Sequence, residues 1–393
     1  MQDYFEFANN VRIIAGKRSI NQLPEVLARH GGYRVFIVSD EVIKKAGHVD
    51  RVIKAINLKK ELTIGDIYLN AKSTPTVQDV TDMYIAFRKS GADAIVGIGG
   101  TRVMNATKAL YLLIATQSKD ITDFRGIDAA IRINDAPCVL VPTSFGSGGE
   151  VSKEVIVIDE ENSLPIEITT GALQPQYCIL DPDSLKTLPE KEIYMSLIDM
   201  YGFCIESYIS KKANDLTKSF AKMALFLIKD NFQKAIMDKD DDALCNMQRA
   251  AVIAAIAYSN SKTGLAHAIA NALAAKYQIH RGEAVCCVLV NALNDLKDVC
   301  QKELSEMLLF SRGSKEFANV TDVERAEIFL DVVKNVVNHL DTHFNVKTHL
   351  KDYGINEEDL DAIAELTLQD GELIVSPKQY TKEGVLEILR KSL

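Results

Sequence analysis

The 393-residue chain is 47% hydrophobic, carries a formal net charge of -9 and has a pI of about 5.4. A chain of this length and apolar content can bury substantial cores, and we expect it to form two domains. Its acidic balance and its lack of a long basic run disfavour a nucleic-acid or anionic-membrane surface, so the expected partners are small molecules.

Sequence features of export and membrane insertion are missing. The opening residues MQDYFEFANN lack the basic and apolar regions of a secretory signal, and no apolar run approaches the roughly 18 residues that span a bilayer. The seven cysteines fit no disulfide framework by number or spacing, so we expect reduced, structural thiols. These features predict a cytoplasmic protein.

Short apolar, β-branched runs alternate with helical segments in the N-terminal part of the chain. Strands are predicted at residues 34–40, 93–100 and 137–142, each ending in small or turn-forming residues. Amphipathic stretches such as TVQDVTDMYIAFRKSG lie between them, and this alternation is typical of a parallel α/β sheet. Residues 154–159 and 177–181 are predicted to be further strands.

The pattern changes after about residue 181, and helical periodicity then dominates to the C-terminus. We therefore predict an α/β domain over residues 1–184 and an all-helical domain over residues 185–393. The connecting segment TLPEKE is short, which favours a rigid cleft over a flexible tether.

The passage IVGIGGTRVMNATKAL reads as strand, turn and helix, with Gly99, Gly100 and Thr101 at the turn. Glycines there let the backbone approach a phosphate, and the helix start supplies free N–H groups and the favourable end of the helix dipole. A purely structural Gly-Gly turn is the alternative. Asp40, an acid at a strand end, precedes these glycines, whereas the usual dinucleotide fingerprint has its acid about 20 residues after them. If a dinucleotide binds, another arrangement holds it.

A second turn, PTSFGSGGEVS at residues 142–152, follows another apolar strand. It contains Thr143, Ser144, Ser147 and three glycines. Hydroxyls and exposed N–H groups suit an adenine, a ribose or a phosphate. A flexible hairpin without a ligand is the alternative interpretation.

Taken in order, these segments resemble the iron-containing alcohol dehydrogenase family, the group III alcohol dehydrogenases. STPTVQDV is similar to the family's Pro-x-Pro-Thr segment, GIGGTRVMNATKA to its glycine-rich turn and helix, and PTSFGSGGEVS to its second loop. QPQYCILDP, GFCIESYIS, GLAHAIANAL and SPKQYTKEGVLEILRKSL continue the match over nearly the whole chain. The resemblance implies an NAD(P)-binding α/β domain, a helical catalytic domain, an active site in the cleft between them, and a homodimer.

The resemblance also implies cofactor contacts. Gly99 and Gly100 would face the pyrophosphate, while Thr143 and Ser144 would contact the cofactor from the second loop. Asp40 matches the acidic position of members that prefer NAD, and its charge would repel the 2′-phosphate of NADP.

Three departures lie near the implied cofactor. Arg102 replaces the family serine, Asn105 the aspartate, and Pro165 a lysine that members often carry. At a helix start, Arg102 could take over that lysine's charge against the pyrophosphate. Thr101, Arg102 and Ser147 complete the candidate cofactor-binding residues.

The metal ligands implied by the resemblance are only partly present. The family holds a divalent metal with an Asp, a His four residues later, a His on the next long helix and a His fourteen residues beyond. Those positions here are Asp199, Phe203, His267 and Arg281, and Asn271 replaces a further family histidine. Two ligands do not close such a site and a permanent cation repels a metal, so we expect the ordinary site to be absent.

A rebuilt metal site is the alternative. His280 could join Asp199 and His267 around zinc or iron, although an ordinary loop histidine is the simpler interpretation of His280. Cys204 could assist, but an α-helix turns it about 100° away from Phe203.

Without a metal, another group must stabilise the alkoxide that forms as hydride leaves for nicotinamide. Arg281 could do so as a fixed cation, or could hold a substrate carboxylate or phosphate while His267 transfers the proton. Phe203 would fill the vacated space and exclude water. His267, Arg281 and Asp199 are therefore the candidate catalytic residues.

These observations predict an NAD-dependent oxidoreductase that interconverts an alcohol and an aldehyde or ketone. The expected substrate is small and anionic, a hydroxy acid or a sugar acid such as an octulosonate. Two alternatives stay open: a metal-dependent alcohol dehydrogenase with a rebuilt ligand set, and a non-catalytic dinucleotide-binding protein.

Overall fold

The computed structural model describes residues 4–72, 74–145, 147–162 and 164–393. Ser73 and Gly146, which belong to two of the matched motifs, lie outside the described residues. The chain divides into two compact units: an α/β unit of Asn9–Leu188 and Lys239–Val252, and a helical unit of the described part of Met1–Ala8 with Pro189–Asp238 and Ile253–Leu393. The predicted domain limits, residues 1–184 and 185–393, stay a prediction.

The strands of the α/β unit are β1 (Arg12–Ala15), β2 (Arg34–Val38), β3 (Thr63–Tyr68), β4 (Ala94–Gly99), β5 (Gly126–Ile127), β6 (Cys138–Pro142), β7 (Glu154–Asp159), β8 (Leu164–Thr169) and β9 (Tyr177–Leu180). Six of them form one sheet in the order β1-β9-β6-β4-β2-β3. All neighbouring pairs in this sheet are parallel, which confirms the predicted α/β class.

The helices that accompany this sheet are α1 (Leu23–Arg29), α2 (Glu41–Lys45), α3 (His48–Ile56), α4 (Val77–Ser90) and α5 (Thr101–Thr116). One hydrophobic core contains side chains of α1 and α3, and a second contains side chains of α4 and α5. All six residues of β4 are buried. A central parallel strand that is covered on both faces is expected to have a continuous apolar sequence, and β4 has one.

The topology fixes where the candidate cofactor residues lie. β2 pairs with β4, and β4 pairs with β6. Because the carboxyl ends of parallel strands meet at one edge of a sheet, the residues that follow these three strands gather there. Asp40, Gly100 and Thr143 are those residues.

A second, three-stranded sheet has the order β5-β8-β7, with β7 and β8 antiparallel. Residues 154–159 therefore form a strand, as the sequence predicts, but in this small sheet. Residues 177–180 form β9 and join the parallel sheet. The strands β1 and β3 escaped prediction because their side chains are mostly exposed or half-buried and so give a weak apolar pattern.

The C-terminal region is helical, as predicted. Its helices are α6 (Glu190–Ile209), α7 (Asp215–Met237), α8 (Asp241–Ser261), α9 (Leu265–Tyr277), α10 (Arg281–Leu296), α11 (Gln301–Arg312), α12 (Ser314–Ala318), α13 (Asp322–Phe344), α14 (Leu360–Gln369) and α15 (Lys382–Lys391). None of the helices in the described residues combines the length and the apolar content needed to cross a membrane.

Lys108 on α5 is a buried cation in the α/β unit. Its Nζ donates to Oγ of Ser152 at 2.8 Å and to the carbonyl oxygen of Glu154 at 2.5 Å. These bonds tie α5 to the segment that enters β7. A buried ammonium group is tolerated only with such acceptors, since burial without partners is costly.

Lys108→Met keeps the side-chain length but removes the ammonium group. The oxygens of Ser152 and Glu154 then lose the hydrogen bonds that Lys108 donates. We expect the free energy of unfolding, measured by urea denaturation, to fall by about 1–3 kcal/mol. Lys119→Met, at an exposed position beyond the same helix, is the control and should change it by less than about 0.5 kcal/mol. Equal effects of the two substitutions would contradict the anchoring role of Lys108.

Candidate functional site

The first glycine-rich turn joins β4 to α5. A Cβ on Gly99 would lie 2.4 Å from Cγ2 of Val103, so glycine at this position is required for the helix to pack on the strand end. Gly100 is the N-cap residue of α5 and has no side chain to cap the first N–H groups. A Cβ on Gly100 would lie 3.2 Å from Oγ of Ser144, which places this backbone beside the second loop. Gly99 thus has a packing role, and Gly100 lies where the two loops meet.

The second loop, whose described residues are 142–145 and 147–152, packs against the first. The N–H of Thr143 donates to the carbonyl oxygen of Gly99 at 2.8 Å, and the side chains of Thr143 and Ser147 are buried. The flanking strands β6 and β7 belong to different sheets, so this loop is not a hairpin. Hydroxyl groups therefore lie close to the N-terminus of a 16-residue helix, an arrangement that suits a phosphate group.

Three further candidate cofactor residues lie at the same sheet edge. Thr101 and Arg102 are the first residues of α5, the former half-buried and the latter exposed. Asp40 caps α2, and its Oδ1 accepts a hydrogen bond from the N–H of Ile43 at 2.9 Å. Asp40 therefore has a local structural role, and its contact with a ribose stays a prediction.

The candidate catalytic residues come together in the helical unit. α6 carries Asp199 and Phe203, α9 carries His267, and α10 begins with Arg281. Nη2 of Arg281 lies 3.8 Å from Oδ2 of Asp199. The Phe203 ring stacks on His267 with a centroid distance of 4.6 Å, and Cζ of Arg281 lies 5.2 Å from the centre of the Phe203 ring. Phe203 therefore links the imidazole to the guanidinium.

The helical spacing on α6 explains part of this arrangement. Asp199 and Phe203 are four residues apart and so share one face of the helix. Gly202 lies directly beside the imidazole, since a Cβ there would be 2.8 Å from Cε1 of His267. A larger residue at position 202 would displace the ring.

Four polar atoms of this cluster are buried without a hydrogen-bond partner among the described residues: Oδ1 of Asp199, Nε2 of His267, and Nε and Nη2 of Arg281. The contact between Arg281 and Asp199 is too long for a hydrogen bond. Buried polar groups are usually paired, and a set that is not marks a place where a ligand or ordered water completes the bonding. The cluster can offer donors from Arg281 and acceptors from Asp199 and His267 to the same ligand.

Glu206, a buried carboxylate on α6, is not revealed by the sequence patterns. Its Oε2 lies 2.5 Å from Nδ1 of His267 and accepts from the N–H of Gly264, while its Oε1 accepts from the N–H of Ala266 at 2.7 Å. The one sequence signal for it is its position seven residues after Asp199, which places the two on the same face of a helix.

Comparison with known proteins identifies the family. Residues 10–182 match the family described as iron-containing alcohol dehydrogenase, and residues 193–393 match the C-terminal region of the Fe-containing alcohol dehydrogenase family. The chain belongs to the iron-containing alcohol dehydrogenase family. It is therefore an oxidoreductase of the alcohol dehydrogenase type.

Three relatives illustrate the similarity. Alcohol dehydrogenase 4 of Saccharomyces cerevisiae is 26% identical over 382 residues, which cover 96% of this chain and 95% of that protein. Sulfoacetaldehyde reductase of Bilophila wadsworthia is 26% identical over 389 residues, 96% of each chain. The crystal structure of sulfoacetaldehyde reductase from Bifidobacterium kashiwanohense in complex with NAD+ matches with a TM-score of 0.82 at 21% identity, covering 99% of this chain and 98% of the other.

The donor set of this chain does not fit the iron that the family name implies. Asp199 and His267 provide two ligand atoms, but Phe203 provides none, and the guanidinium of Arg281 adds a positive charge next to Asp199. Across the described residues, no group of three or more His, Cys, Asp or Glu side chains is arranged to hold a metal ion. His280 is exposed at the N-cap of α10, and the structure does not gather it with Asp199 and His267 into such a group.

Two other residues, one beside Phe203 and one at the place of a further family histidine, have ordinary surroundings. Cys204 is fully buried, and burial raises the pKa of its thiol well above the usual value. Nδ2 of Asn271 donates to Oδ2 of Asp370 at 2.9 Å. The described contacts of both residues explain their presence as packing and local hydrogen bonding.

Glu150, in the second loop, is a buried carboxyl group whose burial raises its pKa from 4.5 to about 7, although the charge of Lys108 opposes the shift. A carboxyl group with a raised pKa in the folded state favours the folded protein at low pH. That contribution is lost as the pH rises from about 4.5 to about 7.

Glu150→Gln removes this titration while keeping the side-chain size. We expect the variant to gain about 2–3 kcal/mol in unfolding free energy relative to the unsubstituted protein as the pH is raised from about 5 to about 8. Chemical denaturation of both proteins across this range measures the difference. A difference that does not change with pH would contradict the assignment.

Proposed function

We propose that this protein is an NAD-dependent oxidoreductase that interconverts an alcohol and an aldehyde or ketone on a small anionic substrate. Hydroxy acids and sugar acids, an octulosonate among them, are the substrate class. The observation that carries the proposal is the set of buried atoms of Asp199, His267 and Arg281 that lack hydrogen-bond partners among the described residues. We also propose that the protein is a homodimer and that it acts in the cytoplasm.

The NAD part of the proposal is supported by the two loops of the α/β unit. Gly100 at the uncapped start of α5, together with buried Thr143 and half-buried Ser144, suits a pyrophosphate. The Bifidobacterium kashiwanohense relative is a complex with NAD+. Asp40 favours NAD over NADP, since its carboxylate would repel a 2′-phosphate. The second loop and Arg102 would hold the rest of the cofactor.

The anionic part of the proposal is supported by the donors of Arg281. Its Nε and Nη2 are buried and without hydrogen-bond partners among the described residues. A planar guanidinium can bind a carboxylate, sulfonate or phosphate with two parallel hydrogen bonds. The Bilophila wadsworthia relative is named for a sulfonated aldehyde, which presents such a group.

The chemistry follows from the same atoms. NAD+, when bound, accepts the hydride that leaves the carbinol carbon. Nε2 of His267 accepts the hydroxyl proton, so that the O–H and C–H bonds break as the C=O bond forms. Arg281 stabilises negative charge on the substrate. Phe203 is 1% exposed and stacks on both Tyr258 and His267, which keeps water away from the imidazole face.

Arg281→Ala removes the donors for the anionic group and should raise the KM for sulfoacetaldehyde by about 10- to 100-fold. NADH affinity, measured by fluorescence titration, should be unchanged because Arg281 is not a candidate cofactor residue. Propanal, which has a similar length but no charge, is the control substrate and should show a much smaller change in KM.

Arg281→Lys is the matched variant, because it retains the charge but not the planar pair of donors. We expect an intermediate KM. Equal effects of Arg281→Ala on the charged and the neutral aldehyde would contradict anion recognition. Tight NADH binding without turnover of any alcohol or carbonyl would instead favour the non-catalytic alternative.

Metal content tests the other alternative. Protein purified without chelators or a nickel column should contain well below one zinc or iron per chain by elemental mass spectrometry, because Phe203 and Arg281 occupy two ligand positions. About one metal ion per chain that disappears in His280→Ala would show a rebuilt site. In that case the role assigned to Arg281 would be wrong.

A further inference from the structure

Glu206 makes an unusual combination of contacts for a buried carboxylate. It is 1% exposed, and its two oxygens face three nitrogens: the backbone N–H groups of Gly264 and Ala266 and Nδ1 of His267. The two backbone groups belong to the start of α9, the helix that carries His267. One side chain therefore contacts both the helix start and the imidazole.

These contacts favour one tautomer of His267. Both oxygens of Glu206 already accept backbone N–H groups, so we assign the proton of the 2.5 Å contact to Nδ1, which then donates to Oε2. In a neutral imidazole the other nitrogen, Nε2, is then unprotonated and can accept. Nε2 is also one of the buried atoms without a partner among the described residues. The available lone pair and the vacant hydrogen-bonding position therefore fall on the same atom.

We propose that Glu206 is a positioning residue that holds His267 with its proton on Nδ1 and its lone pair on Nε2 directed at the substrate. This inference rests on the proposed function. In alcohol oxidation, Nε2 of His267 would take the hydroxyl proton, and NAD+, when bound, would accept the hydride from the carbinol carbon. A carbonyl compound and a protonated imidazole would remain. Release of the Nε2 proton to solvent restores His267.

Other contacts around the ring agree with this role. Phe203 stacks on one face of the imidazole at 4.6 Å, and Gly202 leaves room beside Cε1. Glu206 binds Nδ1. A 180° flip of the imidazole ring, which would swap the positions of its two nitrogens, would therefore break a buried hydrogen bond. The orientation of Nε2 is thereby fixed before a ligand binds.

Glu206 could also act only as a cap of α9. The chain provides a control that distinguishes this capping role from the positioning of His267. Glu372 is also buried, and its Oε2 accepts from the N–H and the hydroxyl of Thr263, which immediately precedes the N-cap residue of α9. Oε1 of Glu372 also accepts from Nζ of Lys262 at 3.3 Å. The imidazole of His267 faces Glu206 through Nδ1, and its Nε2 has no hydrogen-bond partner among the described residues. Glu206→Gln and Glu372→Gln each remove one buried negative charge at the same helix start. Of the two substituted side chains, Glu206 is the one that contacts the imidazole of His267.

The first test is nitrogen NMR of the full chain labelled with 15N at histidine, in buffer alkaline enough for neutral imidazole. The His267 signals are identified by their loss in His267→Gln. We expect the unsubstituted protein and Glu372→Gln to show protonated Nδ1 and unprotonated Nε2, and Glu206→Gln to show a new population protonated on Nε2. Protonated Nε2 in the unsubstituted protein, or an unchanged tautomer in Glu206→Gln, would overturn the proposal.

The second test is oxidation of 2-hydroxyethanesulfonate by NAD+. Glu206→Gln should lower kcat by about 10- to 100-fold and leave the KM for NAD+ within about twofold, while Glu372→Gln keeps kcat within about threefold. Equal losses in the two variants would reduce Glu206 to a helix cap. If no alcohol or carbonyl is turned over at all, the proposed function fails, and the NMR result still decides the role of Glu206.

Discussion

The position of Arg281 constrains the rest of the candidate site. It is the first residue of α10, where the helix dipole disfavours a positive charge, and its guanidinium does not lose that charge in proteins. Asp199 offsets part of the charge at 3.8 Å but leaves two donor atoms unused. A bound anion would relieve this electrostatic cost, whereas a metal cation would increase it. The feature that disfavours the family's metal is therefore the one that favours an acidic substrate.

Under the proposed function, a change from metal binding to proton transfer would need little rearrangement around His267. A histidine that ligates a metal and a histidine that accepts a proton both need one nitrogen engaged and the other free. Glu206 engages Nδ1, and Nε2 is free among the described residues. The imidazole can thus serve either purpose without moving. Under the proposed function, Arg281 and Phe203 at the other two ligand positions favour the histidine that accepts a proton.

Sequence patterns predicted the parallel sheet and the helical region well, because both depend on local periodicity. The family resemblance also pointed to Asp199, His267 and Arg281, which lie in one cluster, and their catalytic roles stay a prediction. Sequence patterns did not reveal Glu206, whose partners lie about 60 residues away and meet it only when α6 packs near α9. Nor did they decide why Gly99 is a glycine, because the reason is a contact with Val103 across a strand-to-helix turn.

The double role of Glu206 connects the stability of α9 with the chemistry of His267. The first N–H groups of a helix lack partners within the helix, and the buried start of α9 has no side-chain cap from Gly264. Glu206 supplies the missing acceptors and binds the imidazole with the same carboxylate. The imidazole ring is therefore held as rigidly as the helix start. A ligand that forms a hydrogen bond with Nε2 meets a ring that is already ordered. Because the same Nε2 can return its proton to an alkoxide, this geometry serves alcohol oxidation and carbonyl reduction equally.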